Sequence, residues 1–198
     1  MKKFFHDYSY NIVKMFVHQF AISIFGVSLT LATTQAHIDS AGFDTFTFIV
    51  SIFAVLFYLF LIYTLSWEIG AKDQVAVETG KKAYRPHLGI LLSLVANIPN
   101  LFAALLYAIA AIIGSESMMF IVRLAATLIQ GMFFGIITTV SLPIGGAYVQ
   151  LNSLWPTFFL MAVPAMLTSW LAYFLGYKNF RIFALFSRAT DKNNTVKK

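Results

Sequence analysis

Between Leu88 and Ile113 the chain runs for 26 residues with few polar side chains, and near the middle of that run stand Asn97, Pro99 and Asn100. As a helix, such a stretch is long enough to cross the ~30 Å hydrocarbon core of a bilayer. Entered near His87, it carries Asn97 ~15 Å along, to roughly the midplane. Hydrocarbon offers no hydrogen-bond partner to a carboxamide, so any fold must bring other segments around these amides. Pro99 lacks an amide hydrogen and its ring clashes with the preceding turn, which predicts a kink and an unpartnered carbonyl at Val95.

The rest of the chain has the same character. Of 198 residues, 59% are hydrophobic and 11% charged, against ~25% charged in soluble domains. The apolar residues gather into five long blocks: about Asn11 to Ala36, Thr45 to Trp67, Leu88 to Ile113, Met118 to Gln150 and Trp155 to Tyr177. The fold class expected is an all-α integral membrane protein, a single helical domain over residues 1–189. With no cysteine in the chain, disulfides, thiolate nucleophiles and cysteine-ligated metals are excluded.

Taken in order, Met1 to Tyr10 is basic and aromatic and suits a membrane interface. The first apolar block is too long for a signal-peptide core and reads as a spanning helix. The second has almost no polar groups and is expected to be the most lipid-exposed helix. Glu68 to Pro86 is soluble-looking, a small cytoplasmic loop 68–86, and reads either as a β-hairpin with Gly80 at a positive-φ turn position or as an irregular loop. Met118 to Gln150 holds Arg123, Gln130, Gly131, Gly135, Pro143, Gly145 and Gly146, too many breaks for a plain span. Gly131 and Gly135 fit a small-residue packing motif. In the last block Trp170, Tyr173 and Tyr177 are interface anchors. Lys178 to Phe186 suits an interfacial helix, and residues 190–198 read as a disordered basic tail.

Charge orients the chain. Thirteen of its fourteen Lys and Arg lie on the amino end, the Glu68 to Pro86 connection and the tail, leaving only Arg123 elsewhere. The positive-inside rule puts those three regions, and both termini, in the cytoplasm, which implies a bacterial inner membrane with anionic headgroups facing the basic residues. Five full crossings would put the basic tail outside. The reading adopted is four spanning helices with a re-entrant or broken fourth segment turning near Gly131 to Gly135; five plain crossings or six short ones are the alternatives. Re-entrant backbone is tolerated only inside protein or against a water-filled cavity.

Six residues are candidates for a ligand site: Asn97, Pro99, Asn100, Gln130, His18 and Gln19. Asn97 and Asn100 share a helix face, and transporters place ligands at broken helices of this kind. The plainer reading is that the amides and His18 bridge helices, each such bond worth ~0.6–2 kcal/mol. The chain lacks His-Glu-x-x-His, Gly-x-Ser-x-Gly and phosphate-loop signatures, and its four histidines are scattered. The expectation is therefore no enzyme, no cofactor, no metal and no nucleic-acid partner. It is instead a small-molecule or ion binding and translocation subunit, working as a homo-oligomer or with partner membrane subunits. The competing expectation is an accessory or scaffold protein that docks partners through its loop and tail.

Trp67-Glu68-Ile69-Gly70-Ala71-Lys72-Asp73, the basic loop after it, Ser93-Leu94-Val95-Ala96-Asn97-Ile98-Pro99-Asn100 and Gly176-Tyr177-Lys178-Asn179-Phe180-Arg181 resemble segments of small, functionally uncharacterised bacterial polytopic membrane proteins. In size and helix number the chain is also similar to the substrate-binding membrane subunits of energy-coupling-factor vitamin transporters. Neither likeness transfers a site residue.

Overall fold

The structure, a computed structural model, describes residues 2–36 and 44–180. Helices α1 (Lys2–Ala36), α2 (Thr45–Glu78), α3 (Leu88–Ala96), α4 (Ile98–Ile113) and α5 (Glu116–Ile129) follow one another. A 3-10 turn, Gly131–Phe133, leads into α6 (Phe134–Thr139), strands β1 (Ser141–Ile144) and β2 (Ala147–Gln150), and finally α7 (Trp155–Leu160) and α8 (Ala162–Tyr177). Of the interfacial helix expected over Lys178 to Phe186 only residues 178–180 are described, and they form a turn after α8 with Asn179 at a φ of 52°; the tail expected over 190–198, and most of the connection around Asp39, lie outside the described residues.

Three helical runs are long and apolar enough to cross a membrane: Phe4–Thr33, Thr45–Glu78 and Trp155–Tyr177. Two bent pairs, α3 with α4 and α5 with the Gly131–Thr139 run, raise the number to five if each counts as one span. The distribution of side chains agrees with lipid as the solvent. On α2, Phe46, Phe53, Leu56 and Phe60 face outward, while Thr47, Ser51, Ala54, Ser66 and Gly70 face inward. Water would favour the reverse; in hydrocarbon, small and polar residues belong at helix seams. This is a membrane protein, mostly helical.

Helix α2, expected to be the most lipid-exposed, turns an apolar face outward, and its other face packs on α8, α1 and α6. A stripe from Thr47 through Ser51, Ala54, Tyr58, Ile62, Leu65 and Ile69 to Asp73, spaced by three or four residues, is buried along its length. The α2–α8 seam is close because Gly70 lies against the Tyr173 backbone and Gly176 against the Trp67 backbone, where a Cβ would collide. At the same seam the Ser66 and Ser169 hydroxyls are 2.9 Å apart, and Ser169 donates on to the Gly89 carbonyl at 2.8 Å. Low polarity in composition hid this face, since its polar groups are single hydroxyls at helical spacing.

The same stripe corrects the expected cytoplasmic loop. α2 continues eleven residues past Trp67, to Glu78, and Gln74 to Val77 is helical because Ile69, Gly70 and Asp73 still pack on α8. Gly80 takes a positive φ of 70° in the turn that follows, as expected, but no hairpin surrounds it. The hairpin is β1–β2, paired antiparallel from Ser141↔Gln150 to Ile144↔Ala147. Its two-residue turn is Gly145-Gly146, with φ of 61° and 85°, the geometry that matches strand twist. The architecture is thus helical with one short exposed hairpin rather than purely α.

Between Ile129 and Gly131 the chain bends by 94°. Gly131 abuts Ser23 and Val27 of α1, and Gly135 abuts Thr47 and Ser51 of α2. The bend exposes backbone groups that lipid cannot satisfy, and facing hydroxyls do so instead. Ser23 Oγ donates to the Ile129 carbonyl at 2.5 Å and Ser51 Oγ to the Met132 carbonyl at 2.9 Å, while Ile136 N–H donates to Ser51 Oγ at 3.2 Å. At the end of the bundle beyond this bend, Thr47 donates to Thr33 at 2.8 Å. There too, Tyr107 of α4 donates to the Asn152 and Ser153 carbonyls at 3.3 and 3.2 Å.

Candidate functional site

The break between α3 and α4 turns the chain by 58°. Pro99 sits in the first turn of α4, where a missing N–H breaks no helical bond. The freed carbonyl expected at Val95 is not free: the backbone N–H groups at the break reach the carbonyls of Ser93, Leu94 and Val95 by tightening the last turn. The amides at the break are buried, Asn97 at 2% and Asn100 at 1% exposure. Asn97 Nδ2 donates to the Ser93 carbonyl at 2.8 Å, and Asn100 Nδ2 donates to Asn97 Oδ1 at 2.6 Å. The side chain of buried Tyr58, on α2, interacts with Asn97.

The structure therefore brings Asn97, Pro99 and Asn100 into one polar knot. Gln130 is buried at the 94° bend and donates through Nε2 to the Phe158 carbonyl at 3.3 Å, on α7. Gln19 is buried on the face of α1 that also carries Met15, Ile22 and Ser23; His18, next to it, is half-buried. No hydrogen bond joins Gln19, His18 or Gln130 to the asparagines among the described residues. What these residues share is a deficit. Among the described residues, four buried side-chain polar atoms have no partner: His18 Nδ1, Gln19 Nε2, Asn100 Oδ1 and Gln130 Oε1. An unmet buried donor or acceptor costs about 1–3 kcal/mol. One certain donor and two certain acceptors, with no ionised group among them, suit a neutral polar molecule or a monovalent ion rather than a highly charged one.

A second polar site lies at the other end of the bundle. Asp73, near the end of α2, is 6% exposed. Tyr8 of α1 donates to Asp73 Oδ2 at 2.7 Å and Tyr173 of α8 to the same oxygen at 3.2 Å. Lys82, from the turn after α2, donates to Oδ1 at 2.9 Å and to the Tyr8 hydroxyl at 3.1 Å, its ammonium 4.6 Å from the centre of the Tyr8 ring. Three helices and a loop are thus tied through one carboxylate, and a cavity of about 380 Å³ opens beside it. Sequence reasoning missed this group. The available signal was register: Asp73 falls four residues after Ile69, in line with Ile62 and Leu65, so an acid stands where the stripe calls for an apolar residue.

No family model, curated protein sequence or solved structure matches the chain.

Proposed function

We propose that the protein is a membrane-embedded binding and translocation subunit for a small polar molecule or monovalent ion, its ligand groups supplied by Gln19, Asn100 and Gln130 with His18 beside them. One observation carries this reading. Every unmatched buried polar side-chain atom among the described residues falls on these four, Asn100 being in the first turn after the α3–α4 break and Gln130 at the bend after α5. Asn97 and Pro99 act as positioning groups, since Asn97 spends its amide on Ser93 and Asn100.

In the topology that accompanies this proposal, four segments cross and α5–α6 is re-entrant. The 94° bend supports it, as do the Tyr107 bonds to Asn152 and Ser153, which keep the approach to α7 near the end of α4. Lys72, Lys81, Lys82, Arg85 and Lys178 cluster toward the Asp73 end, which supports a cytoplasmic face there in a bacterial inner membrane. The scaffold reading gains less support. In Glu68 to Pro86, Glu68 is engaged by Lys72 at 2.6 Å, Glu78 by Gln74 at 2.9 Å and Asp73 by Lys82, so its carboxylates are turned inward on the segment itself.

The test is thermal unfolding of detergent-solubilised protein against alkali-metal cations and, separately, small neutral amides and polyols. At least one class raises the midpoint of the wild type, and Asn100→Leu and Gln130→Leu lose that rise while keeping their helical circular dichroism. Failure of every class to stabilise the wild type, or equal stabilisation of both variants, overturns the reading.

A further inference from the structure

The cavity beside Asp73 does not end at the charged groups. Its lining includes Arg85 and Leu88, and both residues also line a second hollow of about 490 Å³ that runs along α3 past Pro86 and Leu91 to Leu94. The first hollow is the more polar of the two, about half of its wall being apolar, and carries Lys81, Lys82, Arg85, Asp7 and Asp73; the second is walled almost wholly by apolar groups. The two hollows adjoin at Arg85 and Leu88. Each part has the size of an ordinary ligand site, about 300–1,000 Å³.

Depth matches the chemistry. Trp67 marks the aromatic belt at an interface, and Asp73 lies six residues further along the same helix, ~9 Å beyond it. The polar hollow therefore sits at headgroup level. Leu88 to Leu94 spans two turns of helix, ~9 Å, back toward the asparagine break at mid-bilayer. The apolar hollow thus descends into hydrocarbon, where Leu91 and Leu94 are 43% and 39% exposed.

Charge selects the sign of the occupant. Lys82 is committed to Asp73, and Asp7 has the exposed His6 ring at 3.3 Å. Lys81 and Arg85 take part in no ion pair among the described residues. With three basic and two acidic side chains in the lining, the hollow carries a formal charge of +1, which one phosphodiester neutralises. Arg85 stands at the seam, where a phosphate joined to an acyl chain would lie, and guanidinium binds phosphate oxygens in pairs.

The geometry points to a site for one phosphate-bearing lipid, with its phosphodiester between Lys81 and Arg85 and one acyl chain along Leu88, Leu91 and Leu94. The Asp73 knot is the rigid floor that fixes the loop carrying both basic residues. The site is separate from the amide centre and does not rest on it.

Native mass spectrometry from detergent micelles tests this, with phosphatidylglycerol, diacylglycerol and glycerol 3-phosphate as probes. One phosphatidylglycerol per chain binds saturably, well above diacylglycerol, and glycerol 3-phosphate does not displace it at equal concentration. The Lys81→Gln, Arg85→Gln double variant weakens phosphatidylglycerol about thirtyfold, the expected effect of two basic side chains at a headgroup, and leaves diacylglycerol unchanged. Leu91→Trp, which fills the apolar hollow, also weakens the lipid, while Asn100→Leu does not. Equal binding of phosphatidylglycerol and diacylglycerol, or equal binding by wild type and double variant, overturns the proposal. So does glycerol 3-phosphate binding as tightly as the lipid with Leu91→Trp silent, which would leave a free-anion site.

Discussion

The two polar regions solve opposite problems. At the Asp73 end the groups are charged and every carboxylate oxygen is engaged, Oδ2 by two phenols and Oδ1 by an ammonium. At the amide centre the groups are neutral, and Asn100, Gln130 and Gln19 each keep one atom unmatched. Burial explains the contrast. An unpaired buried charge costs several kcal/mol and is not tolerated, whereas an unpaired amide atom costs about 1–3 kcal/mol and is affordable where a ligand exploits it. The charged knot holds the helices together; the amide centre carries an unmet cost, which the proposed ligand would offset.

The contrast makes removal of an engaged group and removal of an unmatched one differ in sign. The largest effect is expected for Asp73→Ala, which strands Lys82 and two phenols and should destabilise the fold by about 3–5 kcal/mol; denaturant unfolding in mixed micelles reads it. A loss below 1 kcal/mol would reduce the knot to a surface feature. Next, Gln19→Met removes an unmet donor at nearly constant volume and should stabilise the protein by about 1–3 kcal/mol. Loss of stability in that variant would mean the Gln19 amide is satisfied and the contrast false. Asn97→Leu breaks the bonds to Ser93 and Asn100 and should cost about 0.6–2 kcal/mol, so the engaged amide of Asn97 and the unmatched amide of Gln19 are predicted to respond in opposite directions. The smallest change is Lys72→Gln. Its 2.6 Å pair with Glu68 is largely solvent-exposed, and its loss should shift stability by roughly 0.5 kcal/mol or less.

Much of this was legible in residues taken alone. The apolar blocks, the break at Asn97 to Asn100 and the irregularity around Gln130 are local in sequence, and each appears where composition put it. The four unmatched atoms fall on residues singled out for standing polar in apolar runs. Turn chemistry is less legible: Gly80 takes the expected positive φ in a turn without a hairpin, while the hairpin falls at Gly145-Gly146, inside the stretch that the sequence marks only as a re-entrant or broken segment. Short alternating runs such as Gln74 to Val77 fit either a strand or an extension of α2, and only packing chooses.

From the chain alone follow residence in a membrane and the length of its apolar runs, because transfer to hydrocarbon is decided residue by residue. Tertiary structure alone decided that one face of α2 is shared with α1, α6 and α8, that α2 runs on to Glu78, and that Tyr8, Asp73, Lys82 and Tyr173 meet. Those facts depend on which stripes face each other across seams such as Gly70 against Tyr173, and a stripe does not carry the identity of its partner in its own sequence.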